Sequence, residues 1–345
     1  MTSLIHSLNT RLISFLEKRD HLPLGLTNGR MGICIYFYYL NSIYNNNSYK
    51  ELADRLIDEV FENVDLIKTI DVKNGLAGIG LGIDYLIKNN YVKGNVNIIL
   101  SDVDDIIFKN LSYSKYYEKI DSLSLTHILY YLSIRLENQI QDSKTEYLYK
   151  ELVIDTVNNL YERLSSNFYE EPLAYNTDYL LPQLLFVLGK LYHFDFYNYR
   201  LNKIIEELSY KVLSIYPILH SNRLYLLWGM DYLNKQTKDE YWDKPISLLK
   251  DNIDLNHILS YELRNKNILF NDGLASICYF INKLTSYFDN KELELFRGQA
   301  ISKIENSQLW MFLNDNQQYF EKYIGLYNGF PSAILTLHKL QMTNS

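Results

Sequence analysis

One phrase returns seven times along the chain, and its spacing decides most of what the chain can fold into. It is a polar or glycine-rich turn, then an apolar run of about a dozen residues closing on Leu or, once, Ile. It reads GLTNGRMGICIYFYYL at Gly25–Leu40, KNGLAGIGLGIDYLI at Lys73–Ile87 and DSLSLTHILYYL at Asp121–Leu132. It continues as YNTDYLLPQLLFVLGKL at Tyr175–Leu191, HSNRLYLLWGMDYL at His220–Leu233, FNDGLASICYFINKL at Phe270–Leu284 and GLYNGFPSAILTLHKL at Gly325–Leu340. With Gly29, Gly75, Leu125, Thr177, Asn222, Gly273 and Gly329 taken as equivalent, the intervals are 46, 50, 52, 45, 51 and 56 residues. A period near 50 holds two helices and two loops.

Between the copies lie segments with one apolar stripe. Examples are Lys50–Ile70, Glu146–Ser165 and Arg200–Ile215, and Leu4–Leu16 precedes the first copy. Apolar residues at i, i+3, i+4 and i+7 give each one buried face, so these helices belong outside. The copies themselves are apolar almost all round and belong inside. Strand readings are weak, because polar residues in the copies do not alternate with period 2, and six prolines in 345 residues leave long helices undisturbed. The expected fold is all-α. Seven inner and seven outer helices form a closed α/α toroid, one domain over residues 1–345. An open solenoid is the alternative, but it needs polar caps, and the last copy is as apolar as the first.

Glycines crowd the starts of the first two copies at Gly25, Gly29, Gly32, Gly75, Gly78, Gly80 and Gly82. Spacings of three to four keep one helical face bare, for close packing or close approach of a ligand. GIGLG is not a dinucleotide loop, since no βαβ unit or acidic partner accompanies it.

Charge and cysteine content narrow the function. Lys and Arg number 34 against 41 Asp and Glu, for a net charge of −7. That balance argues against a nucleic-acid surface. Two cysteines exclude a disulfide scaffold or a Cys-rich zinc module. The longest apolar run, Ile33–Leu40, is eight residues and cannot span a bilayer. No signal-like apolar stretch opens the sequence, so the cytoplasm is the expected compartment.

Seven N-G-x-x-G-I-like copies near a 50-residue period resemble the lanthionine synthetase C-like (LanC-like) family. The resemblance runs from about Leu4 to Leu340, although copies three to five have lost their glycines. It implies a double α/α toroid of fourteen helices and a place in ribosomal-peptide (lanthipeptide) maturation. Family enzymes add a peptide Cys thiol to a dehydrated Ser or Thr residue, and a zinc ion activates the thiol. Position by position, the family's Asp falls on Asp121 and its catalytic His on Asn176. The first zinc Cys falls on His220, and the Cys-His pair falls on Asn271 and Asp272. Only Asp121 matches. Cys34 and Cys278 lie five residues inside their copies, where a buried hydrophobe is expected.

The resemblance therefore implies a protein that binds a precursor peptide, with thioether cyclisation left open and without the usual zinc site. No cofactor and no tightly bound zinc are expected. A peptide-modifying dehydratase or another maturation enzyme is the expected protein partner. Asp121 and Asn176 are the candidate catalytic positions. Candidate substrate-binding residues gather where inner-helix N-termini would converge: Arg30, Tyr175, His220, Arg223, Asn271, Asp272, Tyr327 and Asn328. Helix ends offer free N–H groups and a positive dipole end. Two alternatives stay open: a non-catalytic scaffold that recruits a modifying enzyme, and a carbohydrate-active enzyme on the same architecture. Asp84 and Asp231 recur in a D-Y-L phrase, which favours a structural role, and His127 and His338 read as core histidines.

Overall fold

The structure, a computed structural model, describes residues 1–18, 22–139, 143–164 and 170–342, with the backbone alone at 114, 115, 143 and 144. Ser165, which closes one of the amphipathic segments expected from the sequence, lies outside the described residues. Among the described residues there is no strand.

The apolar copies are helices. They are α2 (Arg30–Tyr44), α4 (Leu76–Lys88), α6 (Ser122–Asn138), α8 (Leu180–Tyr192), α10 (His220–Thr237), α12 (Leu274–Lys283) and α16 (Phe330–Met342). Between them run α1 (Thr2–Leu16), α3 (Asn47–Asn63), α5 (Ser101–Leu111), α7 (Ser143–Tyr161), α9 (Asn198–Val212), α11 (Asp243–Lys250) and α13 (Asn290–Glu305). Two short helices, α14 (Leu309–Asp315) and α15 (Gln317–Lys322), precede the last copy. The stripe rule holds in detail: α9 buries Leu201, Ile204, Ile205, Leu208, Ser209 and Val212 and leaves its other residues exposed or half-buried. By contrast, α4 buries both Gly80 and Asp84 along with Leu76, Ala77, Gly78, Ile79, Gly82, Ile83 and Leu86.

Helix starts follow the turn chemistry. Gly29, Gly75 and Gly273 are N-caps in extended backbone, so three copies begin their helix at the next residue. Where glycine is lost, the start moves. It falls after Asp121 in the third copy, after Tyr179 in the fourth and at His220 in the fifth.

The chain divides into two compact units. The first comprises Met1–Ile107, Asn265–Phe270 and Ile301–Ser345, and the second comprises Phe108–Arg264 and Asn271–Ala300. In the first unit α2 packs against α4, α3 and α16. The two ends of the chain therefore meet in its core. The Tyr36 ring meets Phe330 edge-on at 6.4 Å, and Phe15 meets Phe320 at 6.1 Å. The turns of the seventh, first and second copies are laced by backbone bonds: Tyr327 N donates to Thr27 O at 2.9 Å, and Thr27 N donates to Lys73 O at 3.1 Å. This lacing explains the glycines. A Cβ on Gly25 would stand 2.4 Å from Asn74 Cα, and one on Gly325 would stand 2.7 Å from Asn28 Cα. No described glycine has positive φ, so the requirement is close contact rather than left-handed backbone.

In the second unit α6, α8, α10 and α12 pack in succession, and α7 covers α6 while α11 covers α10. The repeated aspartates behave alike in the two units. Buried Asp84 pairs with Lys88 at 3.0 Å, and buried Asp231 pairs with Lys235 at 2.7 Å, each one turn on. Asp231 also accepts the Tyr287 hydroxyl at 2.7 Å.

Candidate functional site

The richest polar constellation lies at the start of α10. This helix has no cap of its own, because its N-cap is Leu219. Two carboxylates from elsewhere in the sequence replace the missing cap. Glu171 accepts Ile218 N at 2.6 Å, Leu219 N at 2.9 Å and Asn222 Nδ2 at 2.9 Å. Glu262 accepts His220 N at 2.7 Å and Ser221 N at 2.9 Å. Four consecutive N–H groups are thus satisfied, and negative charge faces the positive end of the helix. Sequence reasoning missed both glutamates; the only trace was a copy whose turn had lost its own cap.

His220 sits inside this knot. Its Nδ1 accepts Asp254 N at 2.9 Å, and its ring lies 4.7 Å from that of His257. Burial and then the nearby Arg223 guanidinium hold its pKa below the ordinary value, against an opposing pull from Glu262, so the ring is neutral at neutral pH. Arg223 is a brace: Nε donates to Pro217 O at 2.6 Å, while Nη1 and Nη2 reach Asn252 O at 2.8 Å and Ile218 O at 3.1 Å. Its guanidinium lies over Tyr216, 4.4 Å from the ring centre.

The other predicted residues are placed as follows. Asp121 caps α6, accepting Ser124 N at 2.9 Å and Ser124 Oγ at 2.7 Å. Burial pushes its pKa up, but the Ser124 amide and hydroxyl, with the amides of Asp121 and Leu123, outweigh it and leave the value lowered. Asn176 forms an Asx turn, accepting Asp178 N at 3.0 Å. Tyr175 is buried, with its hydroxyl 2.6 Å from Ser276 Oγ. Arg30 is buried against Glu59 in an ion pair within the first unit. In that unit Tyr327 packs on Phe270 at 5.6 Å, and the buried side-chain oxygen of Asn328 has no hydrogen-bond partner among the described residues. The histidines expected in the core are bonded: His127 Nε2 lies 2.5 Å from Gln183 Oε1, and His338 Nε2 lies 2.9 Å from the Tyr44 hydroxyl.

Zinc is the cofactor the resemblance implies, and the three corresponding residues do not fit it. Asn271 braces a turn: its carbonyl accepts Thr177 N at 2.7 Å and Thr177 Oγ1 at 3.0 Å, and its amide oxygen lies 3.2 Å from the same hydroxyl. Asp272 is exposed as a residue, yet its carboxyl is withdrawn from water enough to raise its pKa, partly opposed by its own amide. No thiolate belongs to the set. Both cysteines are buried, and burial raises their pKa, to about 12 at Cys278. Cys34 Sγ donates to Ala53 O at 3.3 Å. Both thiols are therefore held protonated at neutral pH.

A second feature of the same unit is aromatic. Phe186 on α8 stacks on Trp228 of α10 at 4.6 Å and packs on Tyr232 at 4.4 Å. Tyr130 on α6 joins at 6.0 Å, and Tyr279 on α12 at 6.5 Å from Trp228. Tyr130, Phe186, Trp228 and Tyr232 are half-buried and Tyr279 is exposed, so four successive apolar helices share a partly open aromatic band. Trp242 and Trp310, the other two tryptophans, are buried.

Comparison with known proteins places this geometry. The model of the lanthionine synthetase C-like family matches residues 20–181. The solved structure of nisin cyclase superposes with a TM-score of 0.69 at 14% identity, covering 99% of this chain and 95% of that one. The family match covers a little under half of the chain, and the chain shares the all-α fold of nisin cyclase over nearly its whole length. No curated protein matches it. No described helix is long and apolar enough to cross a membrane.

Proposed function

We propose that this protein takes part in the maturation of a ribosomal peptide of the lanthipeptide type by binding the precursor. The family match, together with a fold shared with nisin cyclase over 99% of the chain, carries the reading. Binding is favoured over zinc-dependent cyclisation, because Asn271 braces a turn, no cysteine stands at any of the family's three zinc positions, and both of the chain's thiols are buried.

The polar rim has less to offer a peptide than its composition implies, since Arg30, Tyr175, Arg223 and Asn271 already bond the protein. The aromatic band offers more. Its rings present large apolar faces with polar edges, which suit the side chains of an extended peptide. A salt bridge of 3.3 Å between Lys190 and Glu137 supplies charge in the same unit.

Trp228 makes the reading testable, because the other two tryptophans are buried. A synthetic peptide carrying Ser, Thr and Cys should shift the intrinsic fluorescence on titration, and Trp228→Ala should weaken binding tenfold or more when read by calorimetry. No binding by any such peptide, or unchanged affinity in Trp228→Ala, overturns it.

A further inference from the structure

The segment before the sixth apolar copy contains a rare backbone form. After Asp254 caps a short turn at Leu255–His257, residues Ile258–Glu262 form a π-helix, closed by Leu263 N donating to Ile258 O at 3.0 Å. Isolated π-turns are uncommon and gather at functional sites. This one has a geometric consequence. In an α-helix, residues five apart point about 140° from each other, at 100° per residue. In a π-turn the bond itself joins residues five apart, so His257 and Glu262 come into register. His257 Nε2 stands 3.9 Å from Glu262 Oε1. The pair then meets His220 at the head of α10.

We propose that His220, His257 and Glu262 form a site for a divalent transition metal, with zinc as the favoured ion. One ligand atom from each lies within 4.8 Å of the other two. Two imidazoles and a carboxylate are the donor set of open zinc sites, which leave a fourth position free. Zinc–ligand bonds of about 2.0–2.1 Å place tetrahedral ligands about 3.3 Å apart. The trio therefore has to close by roughly 1 Å or more. The His257 side chain, 43% exposed, is free to make that move, while the Glu262 side chain, 4% exposed, is fixed. Each Glu262 oxygen accepts one amide and keeps a lone pair for the metal. His220 already lacks a ring proton at Nδ1, where it accepts the Asp254 amide. A cation enters at Nδ1 in place of that amide, or at Nε2 after the ring proton moves to Nδ1. In both cases Asp254 N–H loses its acceptor.

The site departs from the expectation of no bound zinc, and two of its three ligands lie outside the positions the family resemblance supplies. It stands apart from the peptide reading, because it concerns metal affinity alone. The test is equilibrium dialysis of the full chain against Zn²⁺ alone, with hydrogen exchange in parallel. One ion should bind per chain. His257→Ala, at a half-buried position, should lower the affinity tenfold or more while leaving the metal-free melting temperature unchanged, and His220→Ala should do the same to affinity. Zinc should speed exchange at the Asp254 amide. Absence of binding at micromolar zinc, unchanged affinity in His257→Ala, or no effect at the Asp254 amide each overturns the proposal.

Discussion

Asp121 aligns with the catalytic Asp that the family resemblance supplies, and it is also the N-cap of α6, so one substitution separates chemistry from capping. Replacing a capping Asp by Ala costs roughly 0.5–2 kcal/mol. Asp121→Ala should lower stability by about 1 kcal/mol in urea denaturation, whereas Asp121→Asn, which keeps an acceptor, should lower it far less. The pH dependence has a definite sign. The folded pKa is lowered, so the carboxylate contributes stability above the unfolded value of about 3.9. That contribution is lost as pH falls through the folded pKa. The stability gap between the parent and Asp121→Asn should therefore close as pH drops below 4. A gap that persists at low pH, or an Ala variant as stable as the parent, rules out capping as the residue's main work. The cap was legible in the sequence, because Asp before an apolar run is an N-cap signal. The partners of His220 were not. His257 is 37 residues away in sequence, and Glu262 joins it only because a π-turn replaces an α-turn.

At the scale of the element, α10 shows how a repeat survives the loss of its own turn. Three copies keep a glycine N-cap in extended backbone, but α10 begins at Leu219–His220, where among the described residues Glu171 and Glu262 hold its first N–H groups. Removing Glu171 leaves the part-buried Leu219 amide and the exposed Ile218 amide short of an acceptor, and leaves Asn222 Nδ2 only Pro172 O at 3.4 Å. Leaving a buried donor unsatisfied costs about 1–3 kcal/mol. Glu171→Ala should thus destabilise by about 1–3 kcal/mol, and Glu171→Gln by less, both read as shifts in the denaturation midpoint. A loss below about 0.5 kcal/mol would mean that water replaces the carboxylate, and that α10 needs no external cap. Helix existence was legible from apolar periodicity alone. The manner of its capping was not, because the donors and acceptors are supplied by segments about 45 residues apart in the sequence.

Across the whole molecule, the first and last copies meet within the first unit. Arg11 on α1 donates to Leu313 O at 2.5 Å and Asn314 O at 3.0 Å, and its guanidinium lies 4.3 Å above the Phe320 ring. Phe330 opens α16, is fully buried, stacks on Phe320 at 5.8 Å and meets Tyr36 of α2 edge-on. An open solenoid contains no such contacts, since each repeat touches only its neighbours in sequence. The seven-copy periodicity made a meeting of the first and last copies legible, because neither end reads as a cap; the residues that make the meeting were not, since nothing in one sequence pairs position 11 with 313. Phe330→Ala should cost about 3–5 kcal/mol, a large share of the roughly 5–15 kcal/mol that holds a typical protein folded. Its signature should be non-local. Hydrogen exchange should rise in α1 and α2 together with α15 and α16, because the rings that Phe330 supports belong to both ends of the chain. Loosening confined to α15 and α16 would mean that the ends touch without stabilising each other, and that the chain behaves energetically as an open array.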